Sequence, residues 1–268
     1  MKPFLRWAGS KRQLLSVILK NIPGFTGRYI EPFIGSGSVF FALAPSEAVI
    51  SDTNKYLIET YNAIKRSAIG VHDVYSSLQP NKEEYYRVRE ALPGQIDSVT
   101  RAGYFIYLNR YCFNGLYRTN KNGKFNVPFG GTTGNGTLPS LEALRAARRI
   151  LNNAKCLHDD FETILNQARR GDFVFLDPPY FNPNARVFAE YGGNIFSKSD
   201  FDRLAVSIGQ LHRKKILFML TFSNTPLAQE TFGSYFIMKE SVRRSISGFS
   251  NARKREDELL ITNYQWEN

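Results

Sequence analysis

Cysteine and histidine are scarce in this chain. Cys112, Cys156, His72, His158 and His212 stand singly along 268 residues. That spacing supports neither a disulfide framework nor a zinc site, and both cysteines read as small buried residues. Acidic residues are also few, 24 against 35 lysines and arginines, for a net charge of +11. Such an imbalance favours a polyanionic partner, either nucleic acid or an anionic membrane surface. Long apolar runs are missing. The longest, Ile216-Leu217-Phe218-Met219-Leu220, has the length of a buried strand and falls far short of the ~20 residues of a spanning helix. The segment Met1 to Trp7 lacks the apolar core of a signal peptide. The expectation is a cytoplasmic, reduced protein with no metal and no membrane partner. What is abundant is aromatic: 14 tyrosines and 21 phenylalanines in a chain that is 43% hydrophobic. That composition argues against disorder and suffices for one large domain or two smaller ones.

The most informative residues are Asp177-Pro178-Pro179-Tyr180, which follow the apolar run Phe173 to Leu176. The run reads as a fully buried strand. A carboxylate at its carboxyl end accepts hydrogen bonds, and Pro178 keeps a carbonyl while lacking a competing N–H. Pro179 holds Pro178 extended, and Tyr180 supplies a flat face. Two acceptors beside a stacking surface suit a planar heterocycle that carries an exocyclic amine. The plain alternative is an ordinary turn, because Asp and Pro are common turn residues.

Strand-like and helix-like patterns alternate in two regions. In the first, Arg28 to Phe33 leads into Gly35-Ser36-Gly37, Ser38 to Leu43 is helical, Ala48 to Asp52 is a strand, and Asn54 begins a helix. The series resumes at Lys155 to Phe161, with a helix from Glu162 to Arg170 and the strand before Asp177. A helix from Asp200 to His212 and strands at Ile216–Phe222, Tyr235–Glu240 and Glu258–Thr262 complete it. This is the pattern of a doubly wound α/β sheet assembled from both ends of the chain, residues 1–62 and 151–268. Residues 63–150 read as an inserted, mainly helical second domain. It has helices at Glu83–Ala91 and Thr100–Tyr111, and a glycine-, asparagine- and threonine-rich stretch from Phe129 to Thr137.

The glycines of Glu31-Pro32-Phe33-Ile34-Gly35-Ser36-Gly37 sit at the first strand-to-helix turn, where backbone can approach a ligand closely. A tight turn without a ligand needs glycine too. Asp52 ends the next strand, where an acidic residue can bind ribose hydroxyls; its alternative is a cap on the following helix. Asp160-Phe161 can place a carboxylate and a backbone N–H near an adenine. No phosphate-cradling lysine loop accompanies them, so a nucleoside without pyrophosphate is favoured.

These residues resemble the Dam-type DNA adenine methyltransferases, the alpha group (D12 class) of amino-methyltransferases that use S-adenosylmethionine. Phe4 to Lys11 is similar to that family's amino-terminal cofactor motif, Glu31 to Ser38 to its glycine motif, and Asp177 to Tyr180 to its catalytic motif. Tyr107 to Arg118 and Phe125 to Gly130 resemble its target-recognition signature, and Val242 to Ser247 and Glu258 to Leu260 also fit. The resemblance implies a Rossmann-like, seven-stranded methyltransferase sheet and an insertion that carries a β-hairpin. It implies cofactor contacts from Trp7, Lys11, Glu31, Phe33, Gly35, Gly37, Asp52, Asp160, Phe161 and Asp177, and catalysis by Asp177, Pro178 and Tyr180. Lys11 has a plain alternative as a solvated lysine, and Ser10 stands where that family usually has glycine. The implied partner is double-stranded DNA holding a GATC-type site, with a cognate restriction endonuclease as a possible companion.

Asn122-Gly123 is a strong hairpin signal, and a two-stranded ribbon fits the major groove. Arg118 can offer two donors to a guanine edge, while Arg110, Lys121 and Lys124 can reach phosphates. Asn114, Leu116, Arg118 and Pro128 fall on positions that the resemblance associates with reading GAT, but the match fades after Gly130. Arg243, Arg244, Arg253, Lys254 and Arg255 form a second basic cluster suited to phosphates. Two other readings of the catalytic motif stay open: an RNA or protein amine methyltransferase, and a DNA-binding regulator without activity.

Overall fold

The computed structural model of the chain describes residues 1–120, 123–131, 137–179, 196–243 and 255–266, with the backbone alone at 242, 243, 255 and 256. After a short amino-terminal helix α1 (Leu15–Lys20) come β1 (Tyr29–Glu31), α2 (Ser38–Leu43), β2 (Ala48–Asp52) and the long α3 (Lys55–Ser76). Helices α4 (Lys82–Ala91), α5 (Ser98–Tyr111) and α6 (Leu141–Leu151) follow. The α/β alternation then returns with β3 (Ala154–His158), α7 (Phe161–Asn166), β4 (Phe173–Leu176), α8 (Lys198–Arg213), β5 (Leu217–Ser223) and α9 (Pro226–Phe232). Strands β6 (Phe236–Arg243) and β7 (Arg255–Thr262) close the chain.

The strands form one seven-stranded sheet in the order β3-β2-β1-β4-β5-β7-β6. The pairs from β3 to β5 are parallel, and β7 runs antiparallel to both β5 and β6. β4 is buried along its whole length (Phe173, Val174, Phe175, Leu176), as expected of a central strand covered on both faces. Side chains alternate between two cores. Phe173 and Phe175 join one with Tyr29 and Ile50, while Val174 and Leu176 join the other with Ile30, Phe201 and Leu204. The α/β sheet expected from the sequence is the sheet observed.

The boundary expected near residue 62 falls inside α3. Leu57, Ile58, Tyr61, Ile64, Ala68, Val71 and Tyr75 keep a helical period across it and are all buried. Ser67 interrupts the helix at φ −149° and ψ 88°, and its hydroxyl accepts the Gly70 N–H at 3.0 Å, capping the second half. Tyr85, Phe105 and Leu144 of the insertion lie in the same core cluster as Tyr29 and Phe173 of the sheet. The intervening helices are therefore continuous in packing with the sheet.

One ion pair joins the starts of β1 and β4. The buried Asp172 carboxylate accepts the Arg28 guanidinium at 2.7 Å and the Arg28 and Arg169 backbone N–H groups at 2.8 and 2.9 Å. Burial raises the Asp172 pKa, and these donors outweigh it, leaving the group below the usual carboxylate range. Its contribution is present in full above the unfolded-state pKa of about 3.9, and is lost as pH falls through the depressed native value. Asp172→Asn is therefore expected to lower the unfolding free energy at neutral pH by about 2–4 kcal/mol. In urea titrations the deficit should shrink as pH is taken toward 3 or below; a deficit independent of pH would contradict this account.

Candidate active site

β1 lies between β2 and β4, where the strand order reverses, and in such sheets ligands bind beyond the carboxyl ends of the strands at that point. The turn after β1 stands there. Gly35 and Gly37 have φ of +46° and +69°, in the left-handed region that favours glycine. The Gly35 N–H donates to Asp52 Oδ2 at 3.1 Å, and its carbonyl accepts the buried Tyr61 hydroxyl at 2.6 Å. A Cβ at Gly35 would sit 2.7 Å from Trp7 Cδ1. Gly35→Ala should therefore cost about 1–3 kcal/mol, read as a lower urea midpoint; an unchanged midpoint would mean the turn relaxes freely.

Trp7 stacks on Tyr117 with ring centroids 5.5 Å apart and planes 20° from parallel. The Tyr117 side chain also bonds Asn54, the cap of α3. The glycine turn is thus braced by the residue beside Arg118. Ser10 has φ −53°, which any residue adopts, and its hydroxyl lies 2.7 Å from that of Ser38. Serine is accommodated there and ties the amino-terminal loop to the glycine motif.

Asp52 does not itself cap α3, whose N-cap is Asn54; it braces that cap residue and the glycine turn. Oδ1 accepts the Asn54 N–H at 2.9 Å while Oδ2 takes the Gly35 N–H, and a carboxylate with about four lone-pair sites keeps capacity for a ligand hydroxyl. Burial raises its pKa, against the opposing pull of the Asn54 and Gly35 N–H groups. Glu31 is different. It is buried under the turn, accepting the Tyr29 hydroxyl at 2.7 Å, and burial holds its pKa well above the usual range. Asp177 raises it further, whereas the Tyr29 bond opposes the shift.

At the end of β4, Asp177 is held by two elements remote in sequence. Lys11 Nζ lies 2.7 Å from Oδ1, and the Thr221 hydroxyl of β5 donates to the same oxygen at 2.8 Å. Among the described residues both contacts fall on Oδ1, so Oδ2 retains its acceptor sites. Lys11 is 5% exposed, which removes the reading of a solvated lysine. Its ammonium also donates to the Gly9 carbonyl and lies 3.7 Å from Glu258 Oε2 of β7. Pro178 follows Asp177 directly; Tyr180 lies outside the described residues. The sequence reading did not find Thr221, although a hydroxyl within an apolar strand is the available signal. Glu258 is marked in the sequence only as part of the Glu258 to Leu260 motif.

Asp160 caps α7 through the Glu162 N–H at 3.0 Å and also accepts Arg203 of α8. The Phe161 ring is 5.2 Å from Phe33 and 6.3 Å from Phe196. The glycine turn and the end of β3 are therefore joined through aromatic side chains. The turn glycines, the Asp52 and Asp160 carboxylates and the apolar Phe33 suit a nucleoside.

The hairpin is present. Thr119 bridges Phe125 and Cys112 bridges Phe129. Asn120 N–H donates to the Lys124 carbonyl at 2.8 Å, and Gly123, at φ +73°, donates its N–H to the Asn120 carbonyl at 2.9 Å. Gly123 thus takes the left-handed position that a hairpin turn favours for glycine, while Lys121 and Asn122 lie outside the described residues. Asn114 (φ 55°), Arg118, Lys124 and Pro128 are exposed, with Leu116 half-buried. The Phe113 N–H donates to the Pro128 carbonyl at 2.9 Å, which joins the two segments. Arg118 Nε is bound by Asn126 Oδ1 at 2.9 Å, leaving its two terminal nitrogens as donors. Phe113, which the sequence marks only as part of the Tyr107 to Arg118 motif, is 48% exposed beside Asn114.

Arg110 does not join the exposed set. Its guanidinium donates to the Phe4 carbonyl, and burial, with Arg6 and Arg12 nearby, pulls its pKa down to about 10. Lys121, Arg244, Arg253 and Lys254 lie outside the described residues, as do the side chains of Arg243 and Arg255. Among the described residues no group of three or more His, Cys, Asp and Glu could hold a metal, and no helix is long and apolar enough to cross a membrane.

Residues 7–246 match the family model for the D12 class N6 adenine-specific DNA methyltransferases. The chain is 36% identical to the type II methyltransferase M1.LlaDCHI of Lactococcus lactis subsp. cremoris, over 98% of this chain and 96% of that one. It is 36% identical to the type II methyltransferase M.MjaIII of Methanocaldococcus jannaschii, covering 98% and 99%. It is 34% identical to the DNA adenine methylase of Escherichia coli K12, covering 97% and 94%. With the sheet order, the glycine turn and the Asp-Pro-Pro strand end in place, the chain belongs to the D12 class of N6 adenine-specific DNA methyltransferases.

Proposed function

We propose that this enzyme uses S-adenosylmethionine to methylate adenine in a double-stranded GATC site, or another palindrome with a GAT core, acting on a base turned out of the duplex. The observation that carries the chemistry is the fixing of Asp177 Oδ1 by Lys11 and Thr221. Oδ2 and the Pro178 carbonyl then accept the two hydrogens of the adenine 6-amino group. That nitrogen is a poor nucleophile because its lone pair is delocalised into the ring. Two fixed acceptors draw it toward tetrahedral geometry, localise the lone pair and face the positive charge that develops on nitrogen. S-adenosylmethionine, bound between the glycine turn, Asp52 and Asp160-Phe161, supplies an electrophilic methyl group on a sulfonium.

Turning the base out costs a few kcal/mol of pairing and stacking. Tyr180 stacking on the adenine offsets this by ~1–3 kcal/mol. The exposed Phe113 ring is suited to stand as an apolar wedge beside the vacated step. Asn114, Leu116, Arg118 and Pro128 read base edges, with the free nitrogens of Arg118 aimed at a guanine. Lys124, Arg243 and Arg244 contact phosphates. The type II names of two relatives support a companion endonuclease of the same specificity.

Plasmid DNA from cells that express the chain tests the site. It should resist an endonuclease blocked by adenine methylation in GATC, and complete cutting would reject that target.

A further inference from the structure

Arg203, on the first turns of α8, gathers three acids from two elements. Its guanidinium bonds Asp160 Oδ1, Glu162 Oε2 at 2.9 Å and Asp200 Oδ1 at 3.0 Å. Its plane also lies over the Phe161 ring, 4.7 Å from the centroid, and Phe33 stands 5.2 Å from that ring. The result is a continuous stack from the glycine turn through Phe161 to α8. Among the described residues, both side-chain bonds to Asp160 fall on Oδ1, one from Arg203 and one from the Glu162 N–H. Oδ2 is thereby left to accept from a ligand.

We propose that Arg203 is a positioning residue for the adenine end of the cofactor pocket, fixing the Asp160 carboxylate and the Phe161 ring and backbone against the nucleoside. The inference rests on the reading of S-adenosylmethionine as the cofactor and of Asp160-Phe161 as its adenine contact. Arg203 touches neither the methyl group nor the DNA base. Its loss should act on cofactor affinity and leave the chemical step intact. A solvent-facing ion pair with no such role would change neither.

Calorimetric titration with S-adenosylhomocysteine, the demethylated product, gives the test, using the unaltered chain, Arg203→Ala and Arg203→Lys. Arg203→Ala should raise Kd about tenfold, the loss of about one well-placed charged hydrogen bond. Arg203→Lys keeps the charge but loses the planar fork, and should fall between. KM for the cofactor should rise in parallel, with kcat within about twofold of the unaltered enzyme. Thermal unfolding without ligand checks that each variant folds, and if Arg203→Ala does not, the lysine variant decides. An unchanged Kd in a folded variant, or a fall in kcat with KM constant, overturns the proposal. Failure of the unaltered chain to bind S-adenosylhomocysteine would instead reject the cofactor reading beneath it.

Discussion

Asp177→Asn is expected to slow methyl transfer by about a thousandfold or more, with cofactor and DNA affinities close to those of the unaltered enzyme. The reason is directional. Lys11 and Thr221 both donate to Oδ1, so an asparagine there turns its carbonyl toward them. Its amide nitrogen then occupies the place of Oδ2 and presents hydrogens to an adenine amine that needs an acceptor. Donor meets donor, and the lone pair is no longer localised. Asp177→Ala removes the acceptor without inserting a donor and should be slightly less damaging. Single-turnover transfer of a tritiated methyl group to a GATC duplex, with binding measured separately, reads both variants. Turnover of Asp177→Asn within about tenfold of normal, less than the loss of one preorganised contact, would sink the assignment.

Lys11→Met carries the second large effect, and it reaches stability as well as rate. The ammonium is buried between Asp177 at 2.7 Å and Glu258 at 3.7 Å. Removing it leaves two carboxylates near each other in a site that excludes most water. Breaking a buried pair in this way costs about 3–5 kcal/mol, a large share of the 5–15 kcal/mol typical of a whole domain. Methyl transfer should fall too, because Asp177 loses a partner that sets its direction. Glu258→Gln combined with Lys11→Met should recover part of the stability, since it removes one of the two neighbouring negative charges, and should not recover the rate. A double-mutant cycle in urea measures the coupling. Strict additivity of the two substitutions would show that Lys11 and Glu258 act independently.

The strand ends were legible because the sequence marks them with unusual residues. Phe173 to Leu176 is a four-residue apolar run closed by Asp-Pro-Pro, and it is β4 as observed. Ala48 to Asp52 and Ser38 to Leu43 are likewise β2 and α2 at the expected residues. Helices α6 and α9 escaped the reading. α9 is too short to show a period, whereas α6 sets buried Leu144, Ala147 and Leu151 against an arginine-rich face and was legible; Ser140 and Thr225 cap the two helices.

The change of composition near residue 62 carries no mark of the helix that spans it, because the buried period of α3 runs through that point. Within the site, single-strand features were readable and cross-element pairings were not. No spacing encodes that Lys11 meets Glu258, or that Arg203 meets Asp160. Arg110 and Arg118 are the same residue type in one motif. Only packing separates them: one is half-buried against the Phe4 carbonyl and the other is exposed on the hairpin.

The central claim is that Asp177 and Pro178 present two acceptors to the adenine amine of a specific DNA site. Single-base mapping of methylated positions in DNA from cells expressing the chain tests it most directly. The account predicts N6-methyladenine at GATC, or at another palindrome with a GAT core, lost when the expressed chain carries Asp177→Asn. Methylation of cytosine, methylation of adenine without a GAT core, or an unchanged map with the Asp177→Asn chain would contradict it.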